Sequence, residues 1–104
     1  TLTYRTYGDA VLTPNILTAS TTVAAGAVQL TVTANTIAKT AVLQAPFANT
    51  ANIQIGGATV DAAVETTGIV LAPGNSLSLE NVDLSTLYMD VLVNGEDITV
   101  LYFT

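Results

Sequence analysis

Apolar and polar residues alternate along most of this chain, and no stretch of ten or more residues repeats with the 3.6-residue period of a helix. A strand with one buried face alternates in this way, because successive side chains point to opposite faces. Val28-Gln29-Leu30-Thr31-Val32-Thr33 follows the pattern over six residues, which predicts a strand. Asn52-Ile53-Gln54-Ile55 follows it again and runs into Gly56-Gly57, a turn or bulge signal. Gly68-Ile69-Val70-Leu71 leads into Ala72-Pro73-Gly74-Asn75 and returns as Ser76-Leu77-Ser78-Leu79-Glu80. Proline presets one turn dihedral and glycine supplies a positive one, so residues 68–80 read as a hairpin. Tyr88-Met89-Asp90-Val91-Leu92-Val93 reads as a strand closed by Asn94-Gly95, a strong two-residue hairpin signal. Asp97-Ile98-Thr99-Val100-Leu101-Tyr102-Phe103 then returns, apolar on both faces towards its end. Such a strand belongs at the centre of a sheet or under a covered interface.

Between these segments, residues 38–45 predict a further strand ended by Pro46, and residues 61–66 a single helical turn or a loop. Short strands every eight to twelve residues, separated by turns, predict an all-β fold: one antiparallel β-sandwich or jelly roll. The first fifteen residues stand apart. Thr1-Leu2-Thr3-Tyr4-Arg5-Thr6-Tyr7 alternates, but Gly8-Asp9 and Pro14-Asn15 interrupt it. Residues 1–15 are therefore read as an extended N-terminal arm or edge strand, and residues 16–104 as the sandwich domain. The arm reading has it reaching onto a neighbouring subunit, because Tyr4, Arg5 and Tyr7 are residue types favoured at interfaces.

Composition supports one domain with a real core: half of the 104 residues are hydrophobic. Eight carboxylates face only Arg5 and Lys39, a net charge of −6. Nucleic-acid backbones and anionic membranes both require clustered cations, so neither is an expected partner. Pro14, Asn15, Gln29, Asn35 and many threonines interrupt the uncharged stretch over residues 10–38, which argues against a membrane span.

Candidate chemistry is sparse. Without histidine or cysteine, the usual catalytic triads and zinc sites cannot be built. Paired carboxylates leave two places for acid–base work, Asp61 with Glu65 and Glu80 with Asp83, but solvated loop carboxylates are the commoner case. Glu80, Asn81 and Asp83, or Asn94, Glu96 and Asp97, offer hard oxygens for calcium, without the spacing of an EF-hand. Tyr88 and Tyr102 sit in strands that read as core rather than as a sugar-stacking face. The expectation is a protein that is not an enzyme, with no cofactor and no metal.

From Val42 onward the order of segments resembles head-decoration (cement) proteins of tailed bacteriophages. The resemblance lies in Leu43-Gln44-Ala45-Pro46, Asn49, Asn52-Ile53-Gln54-Ile55-Gly56-Gly57, residues 68–76, Asp83-Leu84-Ser85-Thr86-Leu87-Tyr88-Met89-Asp90 and Ile98-Thr99-Val100-Leu101-Tyr102-Phe103. It covers about the last two-thirds of the chain and transfers no catalytic residue. It implies a jelly-roll or sandwich subunit on the capsid surface of the virion, with the major capsid protein as partner and self-association as a homotrimer. Tyr4, Arg5, Tyr7, Leu101 and Phe103 are the expected capsid or subunit contacts. Similar modules occur in phage fibres, tails and baseplates, so a β-sandwich binding a receptor glycan or a partner protein is the alternative.

Overall fold

A computed structural model of the chain describes residues 11–104, so the expectations attached to Tyr4, Arg5 and Tyr7 lie outside the described residues. Eight strands follow in chain order: β1 (Pro14–Ser20), β2 (Val28–Gln29), β3 (Ile37–Gln44), β4 (Ile53–Gly56), β5 (Gly68–Leu71), β6 (Ser76–Asp83), β7 (Tyr88–Val91) and β8 (Asp97–Phe103). They form two antiparallel sheets, ordered β1-β8-β3-β6 and β2-β7-β4-β5. The first strand pairs with the last, the second with the seventh, the third with the sixth and the fourth with the fifth. A long hairpin rolled over on itself gives this order, which makes the sandwich a jelly roll.

The core lies between the sheets. Ala38, Ala41 and Leu43 of β3 and Ile98 and Val100 of β8 meet Ile53 and Ile55 of β4 and Met89 and Val91 of β7, with Leu30 and Leu84 closing one side. Each large side chain buried here contributes roughly 1.5–3 kcal/mol, and the alanines contribute less. Pairing between β3 and β6 skips Lys39 and Asn81, where Asn81 has a positive φ of 51°. The kink lets both Ala38 and Ala41, three residues apart, face inward.

Three local expectations are corrected. Residues 28–33 do not form one strand, since only Val28–Gln29 pairs. Beyond Leu30 the threonines bond their own backbone, Thr33 N–H donating to Thr31 Oγ1 and Thr36 Oγ1 donating to the Thr33 carbonyl. Such bonds compete with a ladder, and Asn35 turns the chain through a φ of 59°. Residues 68–80 turn where expected but form no hairpin, because β5 pairs with β4 and β6 with β3 in the opposite sheet. Asn94-Gly95 likewise turns the chain between sheets, and its preceding strand stops at Val91. One strand was not expected: β1 begins at Pro14, so the division drawn after residue 15 falls inside it. The final strand is central, between β1 and β8's other neighbour β3, as its two apolar faces predicted.

At one end of the roll the connections are tied to one another. Gly95 N–H donates to the Thr21 carbonyl, Val23 N–H to Asn94 Oδ1, and Asn49 Nδ2 to the Asp97 carbonyl. Glu96 is buried there, and its Oε1 accepts from Thr50 N–H (2.7 Å), Thr50 Oγ1 (3.0 Å) and Ala51 N–H (2.8 Å).

Candidate docking face

The two sheets present different outer faces. On β2-β7-β4-β5, Asp90, Gln54 and Val70 lie in register across three strands and point outward. Residues 57–67 fold back over this row, with Val60 and Ala62 buried beneath. Gly56 and Gly68 make the seat: a Cβ on Gly68 would stand 2.9 Å from Val60 Cγ2, and one on Gly56 3.2 Å from Val60 Cβ. Polar groups pin the lid, since Gln54 Nε2 donates to the Val64 carbonyl, Thr67 Oγ1 to Gln54 Oε1 and Ala62 N–H to Asp90 Oδ2. Asp90 Oδ1 is buried there with no hydrogen-bond partner among the described residues.

The outer face of β1-β8-β3-β6 has no such lid among the described residues. Register sets Ile16, Leu101, Val42 and Ser78 in one row across all four strands. Antiparallel partners opposite one another share a face, and their exposures of 66% for Ile16, 36% for Leu101 and 37% for Val42 place this row on the outside. The next row is Pro14, Phe103, Thr40 and Glu80. Contiguous exposed apolar residues of this kind mark interaction surfaces, whereas scattered ones carry no meaning. Towards the tied loops the face turns polar: Thr18 opposes Thr99 and Ser20 opposes Asp97, and with Pro46 they line an open groove of about 300 Å³. Beside it, Phe47 is 82% exposed, with its ring resting on the Cα of Gly74.

The expected contact residues thus separate into two groups. Leu101 and Phe103 both fall on the open face, two residues apart on β8, while Tyr4, Arg5 and Tyr7 lie outside the described residues. Sequence reasoning missed Ile16 and Val42. The same signal was available for them, an apolar residue beside inward-facing apolar neighbours in Ile16-Leu17 and Ala41-Val42-Leu43.

The candidate carboxylates have local structural roles. Asp61 Oδ1 accepts from Ala63 N–H, and Glu65 opens a 3₁₀ turn over Glu65–Thr67 rather than facing Asp61 along a helix. Asp83 Oδ1 caps the 3₁₀ turn Leu84–Thr86 by accepting from Ser85 N–H and Oγ. Glu96 holds the loop of Thr50, Asn94 holds Val23, and Asp97 stands in the groove. Set against known proteins, the chain matches no family model, no curated protein and no solved structure, so its function is argued from this geometry.

Proposed function

We propose that the chain is a structural module of a tailed-phage virion, a decoration protein that binds the outside of the capsid and stabilises its lattice. The observation that carries this reading is the open row Ile16, Leu101, Val42 with Phe103 beside it, on a sheet whose opposite number is lidded. A cement protein needs a stiff body and an adhesive surface, and chemistry is not required of it. The rolled sandwich with cross-bonded loops supplies stiffness, and the open face supplies adhesion. Weak contacts repeated within an oligomer on a lattice add through multivalency. A homotrimer is the expected assembly, and light scattering coupled to size exclusion reads it: a monomer at micromolar concentration removes that part of the proposal.

The test is co-sedimentation with phage heads stripped of minor proteins, followed by heating. Saturation at a fixed ratio to the lattice and a raised rupture temperature support the reading. Folded protein that does not bind would move the assignment to a fibre, tail or baseplate module, with the groove of Thr18, Ser20, Asp97 and Thr99 as the place to look for a glycan.

A further inference from the structure

Strand β1 stands at the edge of its sheet, and the way it bonds to β8 fixes which of its backbone groups are left over. We propose that β1 pairs antiparallel with β1 of a second copy of this chain, about a twofold axis normal to the sheet. The pairing goes beyond the decoration reading and does not depend on it.

Three observations carry it. The first is the phase of the ladder. Thr13 N–H donates to the Thr104 carbonyl and Thr104 N–H to the Thr13 carbonyl, both at 3.0 Å. The register then runs without a bulge from Pro14 opposite Phe103 to Ser20 opposite Asp97. In an antiparallel pair, residues that exchange both bonds alternate with residues that exchange none. Asn15, Leu17 and Ala19 therefore bond β8, and the backbone groups of Pro14, Ile16, Thr18 and Ser20 point away from it. Those outward groups have no partner among the described residues.

The second is that this edge is unguarded. Sheet edges resist pairing when they are short, charged or kinked. Among the described residues, β2 is 2 residues long and β5 is 4. β6 carries Glu80, Asp83 and the positive φ of Asn81. β1 runs for 7 residues, Pro14-Asn15-Ile16-Leu17-Thr18-Ala19-Ser20, with neither a charge nor a break in register.

The third is that the edge is complementary to itself. With Leu17 opposite the partner's Leu17, Ile16 N–H meets the partner's Thr18 carbonyl, and Thr18 N–H meets the partner's Ile16 carbonyl. Ser20 N–H meets the partner's Pro14 carbonyl, so the donor that proline lacks is missed only at the two ends. The twofold repeats every bond, as an isologous contact requires. Side chains agree with this register: Leu17 already packs against the core, and Ile16 comes to lie beside a threonine on the open side.

An axis normal to the sheet keeps both open faces on one side, so two rows of Ile16, Leu101 and Val42 join into a single strip. That consequence alone rests on the decoration reading, in which it makes attachment bivalent. Beside the expected trimer, the edge pair is a contact between trimers. In either case the assembly holds an even number of copies.

Light scattering and amide hydrogen exchange on the full chain, from about 10 µM to 1 mM, test the pairing. The expected mass is an even number of copies. The amides of Ile16, Thr18 and Ser20 should gain protection as concentration rises, while those of Leu17 and Ala19 stay protected throughout by the β8 ladder. Thr18→Pro removes an edge donor without touching that ladder, and should raise the dissociation constant about thirtyfold. Thr18→Lys sets like charges across the axis and should raise it about tenfold, which keeps the test open if proline disturbs the fold. A single-copy or odd-numbered mass would overturn the pairing. So would protection of Ile16 and Thr18 that is the same at every concentration, since the edge would then be covered within its own subunit. A dissociation constant unchanged in both variants would overturn it as well. Head binding is a separate measurement, so failure of the pairing and failure of the decoration reading are told apart.

Discussion

Ile16 on β1 and Leu101 on β8 stand directly opposite each other and both point away from the core, while the next pair along, Leu17 and Val100, points into it. Two adjacent strands thus carry apolar side chains on both faces, and only the inner set is explained by folding. Replacing Ile16 with serine is expected to change stability by no more than about 0.5 kcal/mol, because two-thirds of the residue is already in water. Replacing Val100 with alanine should cost about 2–4 kcal/mol through lost burial and the cavity left behind. Chemical denaturation of the two variants checks the contrast.

The lid over the other sheet depends on two glycines, and Gly68 is the tighter. Gly68→Ala forces its new methyl against Val60 and the backbone of Ile55, and is expected to destabilise by about 1–3 kcal/mol. Gly57→Ala is the control: nothing stands within 4 Å of its Cβ, and its melting temperature should match that of the unaltered chain.

Inside that lid, Asp90 offers one used and one unused oxygen. Oδ2 accepts from Ala62 N–H at 2.8 Å, and Oδ1 is buried without a partner among the described residues. Asp90→Asn keeps an acceptor for Ala62 and removes one desolvated oxygen, so its denaturation midpoint should equal or exceed that of the unaltered protein. Asp90→Ala strands the Ala62 donor and should cost about 1–3 kcal/mol. A large loss in the asparagine variant would show that Oδ1 has a structural role.

At the tied loops, a single oxygen of Glu96 receives three donors. Glu96→Ala is expected to cost about 3 kcal/mol, since buried donors are left without acceptors. Glu96→Gln keeps the accepting oxygen and should cost about 1 kcal/mol, the difference between a charged and a neutral acceptor. Thermal unfolding of the two side by side reads the difference.

Removing residues 1–9 takes away no residue of a described strand, because β1 starts at Pro14. The truncated chain is expected to unfold at nearly the same denaturant concentration and to sediment with heads more weakly than the full chain. A truncated chain that fails to fold would make the segment an ordinary part of the sandwich.

Much of this fold was legible in the sequence, and what was not has a physical cause. Alternation located β4 and β6, and apolar runs bounded by turn residues located β3, β5, β7 and β8, since both signals belong to each segment alone. Neither could assign partners. Pro73-Gly74 and Asn94-Gly95 turn the chain as those residue pairs do, but whether a turn joins neighbours or crosses between sheets is decided by which faces must be buried together. β1 was hidden by Pro14, which an edge strand tolerates at its first residue because no ladder hydrogen bond is lost there. Residues 28–33 misled for the opposite reason: their alternation is sound, but threonine hydroxyls satisfy the backbone locally. Leu101 and Phe103 were readable as candidates because β8 is apolar on both sides. Their companions Ile16 and Val42 carry the same signal in Ile16-Leu17 and Ala41-Val42-Leu43, but only the register shows that these distant segments share one face.

The most direct measurement compares Leu101→Asp with the unaltered chain for binding to stripped phage heads. Leu101 sits at the centre of the open row, so a carboxylate there should reduce head occupancy at least about tenfold, read below the variant's own melting temperature because Leu101 is only 36% exposed and the change also lowers stability. If the variant instead saturates the heads at the same ratio and the same affinity, the outer face of β1-β8-β3-β6 is not the attachment surface and the account is contradicted.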